Sequence, residues 1–229
     1  MAHLPKAALV LLGEVLSEKE KHKIDLLSPQ TGISLKRLGR NLVWVVEGLP
    51  NRYYVKLWHN QTFLDREANG FKLSHKIAEE FPNCIAAELI LEDKATGLLI
   101  TGEMPGKPVS QIFKEAFRYD KNPFSLNKKR VKACEAIEHV CRWLGYFHKL
   151  PLPPNIVHLY DHSISEMQQR INRVLNREYN GSKICTQLNL SPLDGSYGQV
   201  PNHLIFGDCA LGNFYLSEDG IGAIDFEDN

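Results

Sequence analysis

The sequence predicts an α+β chain, with a strand-rich first part carrying one helix and a mainly helical second part. Three observations carry this. Residues 33–58 hold three short β-prone runs separated by turn residues. Residues 125–149 repeat apolar positions at steps of three and four, the clearest helical signal in the chain. The stretch from His203 to Asn229 reads as a strand, a polar loop and a β-hairpin that ends in Asp225-Phe226-Glu227.

Composition sets the frame. At 229 residues the chain can bury a real core, as one large domain or two lobes. It is 43% hydrophobic and 24% charged, the balance of a globular chain. Lys plus Arg and Asp plus Glu are 27 each, so no basic excess points to nucleic acid. No apolar run has the length of a membrane span. The run 7–12 is short, is broken by Gly13-Glu14, and reads as amphipathic helix rather than signal peptide. Five scattered cysteines with no C-x-x-C pair predict reduced thiols in a cytoplasmic protein.

In order, residues 1–28 form a helical lead-in, with Leu9, Leu12 and Leu16 at helical spacing. Strands follow at 33–38, 42–47 and 53–58, joined by Gly39-Arg40-Asn41 and by 48–52. Lys56 alternates with Val55 and Leu57, so it points to the opposite face of its strand. Residues 62–80 read as a helix capped by Thr62, with Leu64, Ala68, Phe71, His75 and Ala78 inward and Glu67 one residue from that face. Two further strands, 85–91 and 97–101, complete a five-stranded sheet. Pro105-Gly106 then marks a linker. Helices are expected at 109–119, at 125–149 with Val131, Cys134, Ile137, Cys141, Leu144 and His148 inward, and at 161–179. The run Lys128-Lys129-Arg130 with Lys132 reads as a solvated face. His158 and His162 lack a third metal ligand and read as a surface pair. Residues 180–202 read as an irregular crossover.

The chemistry converges at the end of the chain. A hairpin over 214–224 brings its two ends together, so Asp208 and Asn213 approach Asp225. Two carboxylates and an amide oxygen are hard donors of the kind that hold Mg²⁺ beside phosphate oxygens. One carboxylate is left to accept a proton from a hydroxyl.

The pattern G-D-x4-N-x11-D-F-E over these residues resembles the catalytic signature of the aminoglycoside phosphotransferase and choline kinase families, small-molecule kinases with a protein-kinase-like fold. The resemblance implies an N-terminal nucleotide-binding lobe (1–102), a hinge (103–107) and a C-terminal catalytic lobe (108–229). It implies Asp208 as catalytic base, with Asn213 and Asp225 as metal ligands. Lys56 would pair with the nucleotide α- and β-phosphates and be held by Glu67. The loop at Gly39 and Asn41 would cover the phosphates, and Glu103 and Met104 would lie where the hinge backbone meets the base. Arg66-Glu67 is similar to the R-E pair that opens this helix in the family. The ending Leu144-Gly145-Tyr146-Phe147-His148-Lys149-Leu150-Pro151 resembles the tail of the family's long helix, where His148 would be a packed structural residue. ATP or GTP with Mg²⁺ would be the cofactors, and a small alcohol, sugar, amino alcohol or aminoglycoside-like molecule the acceptor.

The chain departs from the pattern in places. Phe206 stands where the family most often has His, and the Gly39 loop is sparse in glycine. Family members usually continue beyond D-F-E with helices that complete the acceptor pocket, so the expectation is a truncated or minimal member. A non-catalytic kinase-like module that binds nucleotide or a partner is the alternative. A protein kinase is disfavoured, since there is no H-R-D and no G-x-G-x-x-G.

Overall fold

The computed structural model describes residues 3–20, 24–28, 30–39, 42–118, 123–151 and 209–226. All but Pro151 fall in one compact unit, Met1–Leu150 with Leu204–Asn229. The elements are α1 (Lys6–Lys19), β1 (Ser34–Leu38), β2 (Val43–Glu47), β3 (Tyr53–Leu57), α2 (Gln61–Glu80), β4 (Leu89–Asp93), β5 (Leu98–Gly102), β6 (Lys107–Pro108), α3 (Val109–Phe117), α4 (Pro123–Lys149), β7 (Phe214–Leu216) and β8 (Ile221–Ala223). No helix among the described residues is long and apolar enough to cross a membrane.

A five-stranded sheet in the order β1-β2-β3-β5-β4 is antiparallel throughout. The α+β expectation of a five-stranded sheet with helices therefore holds. Strand alternation gives this sheet two distinct faces. Trp44, Val46, Tyr53, Val55, Leu57, Leu98 and Ile100 share a core with Leu4, Ala8, Leu12 and Leu16. Ala8, Leu12 and Leu16 recur every four residues, so α1 lays one apolar stripe on the sheet. Lys56 pairs in register with Val43 and Leu99, and its side chain leaves from the other face.

That second face meets α2. Thr62 was the expected cap, but Asn60 takes the role: its side chain accepts from the Thr62 N–H at 2.8 Å. The helix starts one residue earlier than the apolar pattern showed, and a cap accepts from the second or third helical N–H. The buried stripe of α2 is Leu64, Glu67, Ala68, Gly70, Phe71, Ser74 and Ile77. His75 and Ala78, expected inward, are only half-buried. Glu67 moves from beside the inner face to its centre.

The expected strand 85–91 splits in two. Only Leu89–Asp93 joins the large sheet. The preceding residues bond instead to the hairpin: Ile85 N–H donates to Ile221 O at 2.9 Å, and Ile221 N–H donates to Asn83 O at 3.0 Å. That hairpin, β7–β8, gains β6 as a third strand through Lys107↔Leu216 and Pro108↔Tyr215. Gly106 makes the approach possible. Its φ is +97°, and a Cβ there would lie 2.4 Å from Leu216 O.

In α4 the expected inward stripe is replaced by its neighbour. Ala133, Ala136, Val140, Trp143 and Phe147 are buried, whereas Val131, Cys134, Cys141 and His148 are exposed. Both stripes obey helical spacing. The one holding Trp143 and Phe147 removes far more apolar area from water, so it faces the core. His148 is thus a surface residue, not a packed one. Lys128, Arg130 and Lys132 are exposed, as a solvated face requires. Phe81 stacks on Tyr146 at 4.0 Å between centroids and ties the end of α2 to α4. Cys84, Cys134 and Cys141 are free thiols. The expected helix 161–179, His158, His162, Cys185, the crossover 180–202 and Phe206 lie outside the described residues.

Candidate active site

Three side chains from three elements of the chain meet at the second face of the sheet. Lys56 comes from β3, Glu67 from α2, and Asp225 from the residues just after β8. Lys56 Nζ lies 2.8 Å from Glu67 Oε1 and 2.8 Å from Asp225 Oδ1. Glu67 is fully buried, the Lys56 side chain is 21% exposed, and the Asp225 carboxylate is 34% exposed. The ammonium also lies 5.7 Å from the Trp58 ring centroid, a cation–π distance.

Local sequence explains each placement. Strand alternation turns Lys56 away from α1 and towards α2. Helical spacing aligns Glu67 with Gly70, Phe71 and Ser74 on the buried stripe. The hairpin register Phe214↔Ala223 sets Asn213 across from Ile224, whose N–H donates to Asn213 O at 2.9 Å. Asp225 follows at once. Its φ is +67°, a left-handed conformation that Asp tolerates better than most residues. Phe226 is fully buried, edge-on to Phe71 at 5.2 Å and tilted against Trp143 at 6.4 Å.

The electrostatics follow from this crowding. Burial alone would push the Lys56 pKa down. The charges of Glu67 and Asp225, with hydrogen bonds to both, outweigh it and hold Lys56 above the usual lysine value. Burial dominates at Glu67 and leaves its carboxyl above the ordinary range, although Lys56 and the Phe226 backbone N–H act the other way. The ammonium is therefore fixed in its charged form between two carboxylates, one sealed and one reachable from solvent.

Other sequence-predicted residues fall around this cluster or beyond what is described. Gly39 directly follows β1 with φ +55°, and nothing lies within 4 Å of where a Cβ would stand. Glu103 follows β5, gives its N–H to Arg52 O at 3.0 Å, and pairs with the Arg52 guanidinium on the surface. Met104 is buried, and its sulfur would be 2.9 Å from a Cβ at Gly222 on β8. Asn41 and Asp208 lie outside the described residues. The residue that sequence reasoning overlooked is Gly70. A glycine at the centre of a predicted helix, three residues after Glu67, was the available signal.

Among the described residues, no group of three or more His, Cys, Asp or Glu side chains is arranged to hold a metal. The oxygen donors present are nevertheless of the right kind for Mg²⁺, which usually takes one or two carboxylates and completes its shell with phosphate and water. Asp225 supplies a partly exposed carboxylate, and Asn213, whose backbone is bonded to the neighbouring Ile224, carries an amide.

No protein-family model matches the sequence, and no curated protein matches it. Solved structures do match in fold. One is APH(2")-IIa in a ternary complex with streptomycin and ATP, with 13% identity and TM-score 0.52, covering 100% of this chain and 72% of that one. Another is APH(2")-IIia with GDP and kanamycin, with 12% identity and TM-score 0.51, covering 96% and 73%. The choline kinase LicA from Streptococcus pneumoniae aligns at 14% identity over 95% and 69%, with a TM-score of 0.39 that adds nothing to the assignment. The five-stranded sheet, α2 and the terminal hairpin are thus parts of an α+β, protein-kinase-like fold, the fold of the aminoglycoside phosphotransferases.

Proposed function

We propose that this chain is a Mg²⁺-dependent phosphotransferase that moves the γ-phosphoryl group of ATP or GTP to a hydroxyl of a small molecule. The observation that carries the reading is the ammonium of Lys56 held between Glu67 and Asp225. A charged lysine fixed on a sheet face beside a reachable carboxylate is suited to nucleotide phosphates. In this reading residues 1–102 bind nucleotide, 103–107 form the hinge near Glu103 and Met104, and 108–229 carry the catalytic groups. The loop at Gly39 and Asn41 covers the phosphates. The two structural neighbours hold ATP with streptomycin and GDP with kanamycin, which supports a purine nucleotide and a small acceptor.

Each residue has a physical task. Lys56 neutralises the α- and β-phosphates, and Glu67 holds its ammonium in place. Asp225 and Asn213 would hold the metal, which when bound neutralises phosphate charge and orients the transferred group. Asp208, assigned from its place in the motif, accepts the proton of the acceptor hydroxyl. Phosphoryl transfer depends on positioning and charge neutralisation rather than covalent catalysis, and these groups provide both.

The test is phosphoryl transfer from γ-labelled ATP or GTP to a panel of sugars, amino alcohols and aminoglycosides. The reading expects transfer to at least one acceptor, and Asp225→Ala is expected to lower turnover by about 10²-fold or more. Undiminished turnover in Asp225→Ala contradicts the assignment. Nucleotide binding without transfer to any acceptor favours a non-catalytic binding module.

A further inference from the structure

Phe226 packs against α2 at its central glycine. A Cβ built on Gly70 would fall 2.1 Å from both Cβ and Cγ of Phe226, and 2.7 Å from Cδ1. Carbon atoms pack at about 3.5–4.0 Å, so no other residue fits there without displacing Phe226. The displaced atoms would be the base of the ring rather than its tip, so a rotamer change cannot relieve the clash. The ring is fully buried, with Phe71 and Trp143 against it. Glycine in a helix interior is destabilising relative to alanine, and Gly70 lies in the middle of a 20-residue helix. The Phe226 ring supplies the reason for it.

The consequence reaches the charged cluster through two short links. Phe226 is bonded to Asp225, whose backbone holds a left-handed φ of +67°. Gly70 lies three residues after Glu67 on the same helical face. Seating Phe226 on Gly70 therefore sets the Asp225 backbone relative to the same stretch of α2 that presents Glu67. We propose that Gly70 is a positioning residue: by leaving a seat for Phe226 it brings Asp225 and Glu67 onto the one ammonium of Lys56. Its meaning for catalysis rests on the phosphotransferase reading; the seat itself does not.

The experiment uses the full chain as wild type, Gly70→Ala, Phe226→Ala and the double variant. Two readouts need no nucleotide: the melting temperature, and the rate at which an amine-acylating reagent modifies Lys56 relative to exposed Lys128, followed by mass spectrometry. A third is the Mg²⁺ concentration that half-saturates ATP binding. Gly70→Ala is expected to lower the melting temperature by about 4 °C or more, against the helix-propensity trend. It is expected to speed Lys56 acylation several-fold and to raise the Mg²⁺ requirement. In the Phe226→Ala background Cγ and Cδ1 are gone and the remaining Cβ can shift into the space left by the ring, so the same methyl is expected to cost less than in wild type. A higher melting temperature in Gly70→Ala overturns the proposal. So does an equal loss in both backgrounds, or a lower melting temperature with Lys56 acylation unchanged, which would make Gly70 a packing residue only. If Gly70→Ala does not fold, Phe226→Leu carries the test: a looser seat is expected to speed Lys56 acylation, and an unchanged rate overturns the proposal. Absence of ATP binding in wild type would sink the phosphotransferase reading while the first two readouts still decide the role of Gly70.

Discussion

The two faces of β3 do different work although their residues alternate along five positions. Tyr53, Val55 and Leu57 point into the apolar core under α1. Lys56, between Val55 and Leu57, points into a cluster of buried and half-buried charge. The first face gains free energy from apolar area removed from water. The second buries charge, which is costly unless each ion keeps its partner. Distance alone does not mark the difference. Lys94 lies 2.7 Å from Asp65, as close as Lys56 to its partners, yet those side chains are 62% and 38% exposed. Convergence of three elements on one ammonium with a sealed carboxylate beside it, rather than a short contact, distinguishes the site from a surface ion pair.

Adjacent substitutions break this comparison most sharply. Lys56→Met keeps an unbranched stem but removes the charge, leaving Glu67 buried without its partner. The expected loss is about 3 kcal/mol of stability, with nucleotide binding abolished. Val55→Ala, one residue away and facing α1, is expected to cost about 2 kcal/mol by leaving a cavity, with nucleotide binding retained. Urea unfolding gives the stabilities, and nucleotide titration the binding. Retained binding in Lys56→Met, or lost binding in Val55→Ala, would erase the division between the two faces.

A smaller effect belongs to the structural face. Burial, with the hydrogen bond donated by the Tyr53 hydroxyl to Glu20, pushes the Tyr53 pKa up to about 12 from 10.0. In the unfolded chain the phenol ionises near 10, so between pH 10 and 12 the unfolded state binds fewer protons and stability falls as pH rises. The contribution is present in full below pH 10. Tyr53→Phe is expected to flatten this alkaline slope in urea midpoints measured from pH 9 to 12. An unchanged slope would show that the hydroxyl is not held as described.

The same contrast explains what was legible in the sequence. The alternation of β1, β2 and β3 and the placement of Lys56 are local patterns, readable from a handful of residues. The ion pair with Glu67 joins positions 11 residues apart and followed from strand and helix periodicity together with the family motif. Asp225 is 169 residues from Lys56, and no local pattern joins them. The order of motif residues places both at one nucleotide site, but their direct ion pair is found only in the structure. The inward face of α4 was misread because two apolar stripes compete along it, and the volumes of Trp143 and Phe147 decide between them. β6 is two residues long and exists through its pairing with β7, so it left no pattern to read. Gly70 was visible as a helix-interior glycine, but its reason lies in Phe226, 156 positions later.

The most direct test of the account is thermal denaturation of the chain with ATP, with and without Mg²⁺, for wild type and Asp225→Ala. At 100 times its Kd a ligand adds about 2.7 kcal/mol, which for a domain of this size is about 5–10 °C. A shift of that size is expected in wild type, dependent on Mg²⁺ and lost in Asp225→Ala. No shift in wild type at any ATP concentration, or an identical Mg²⁺-dependent shift in Asp225→Ala, would contradict the claim that Lys56, Glu67 and Asp225 form a nucleotide–metal site.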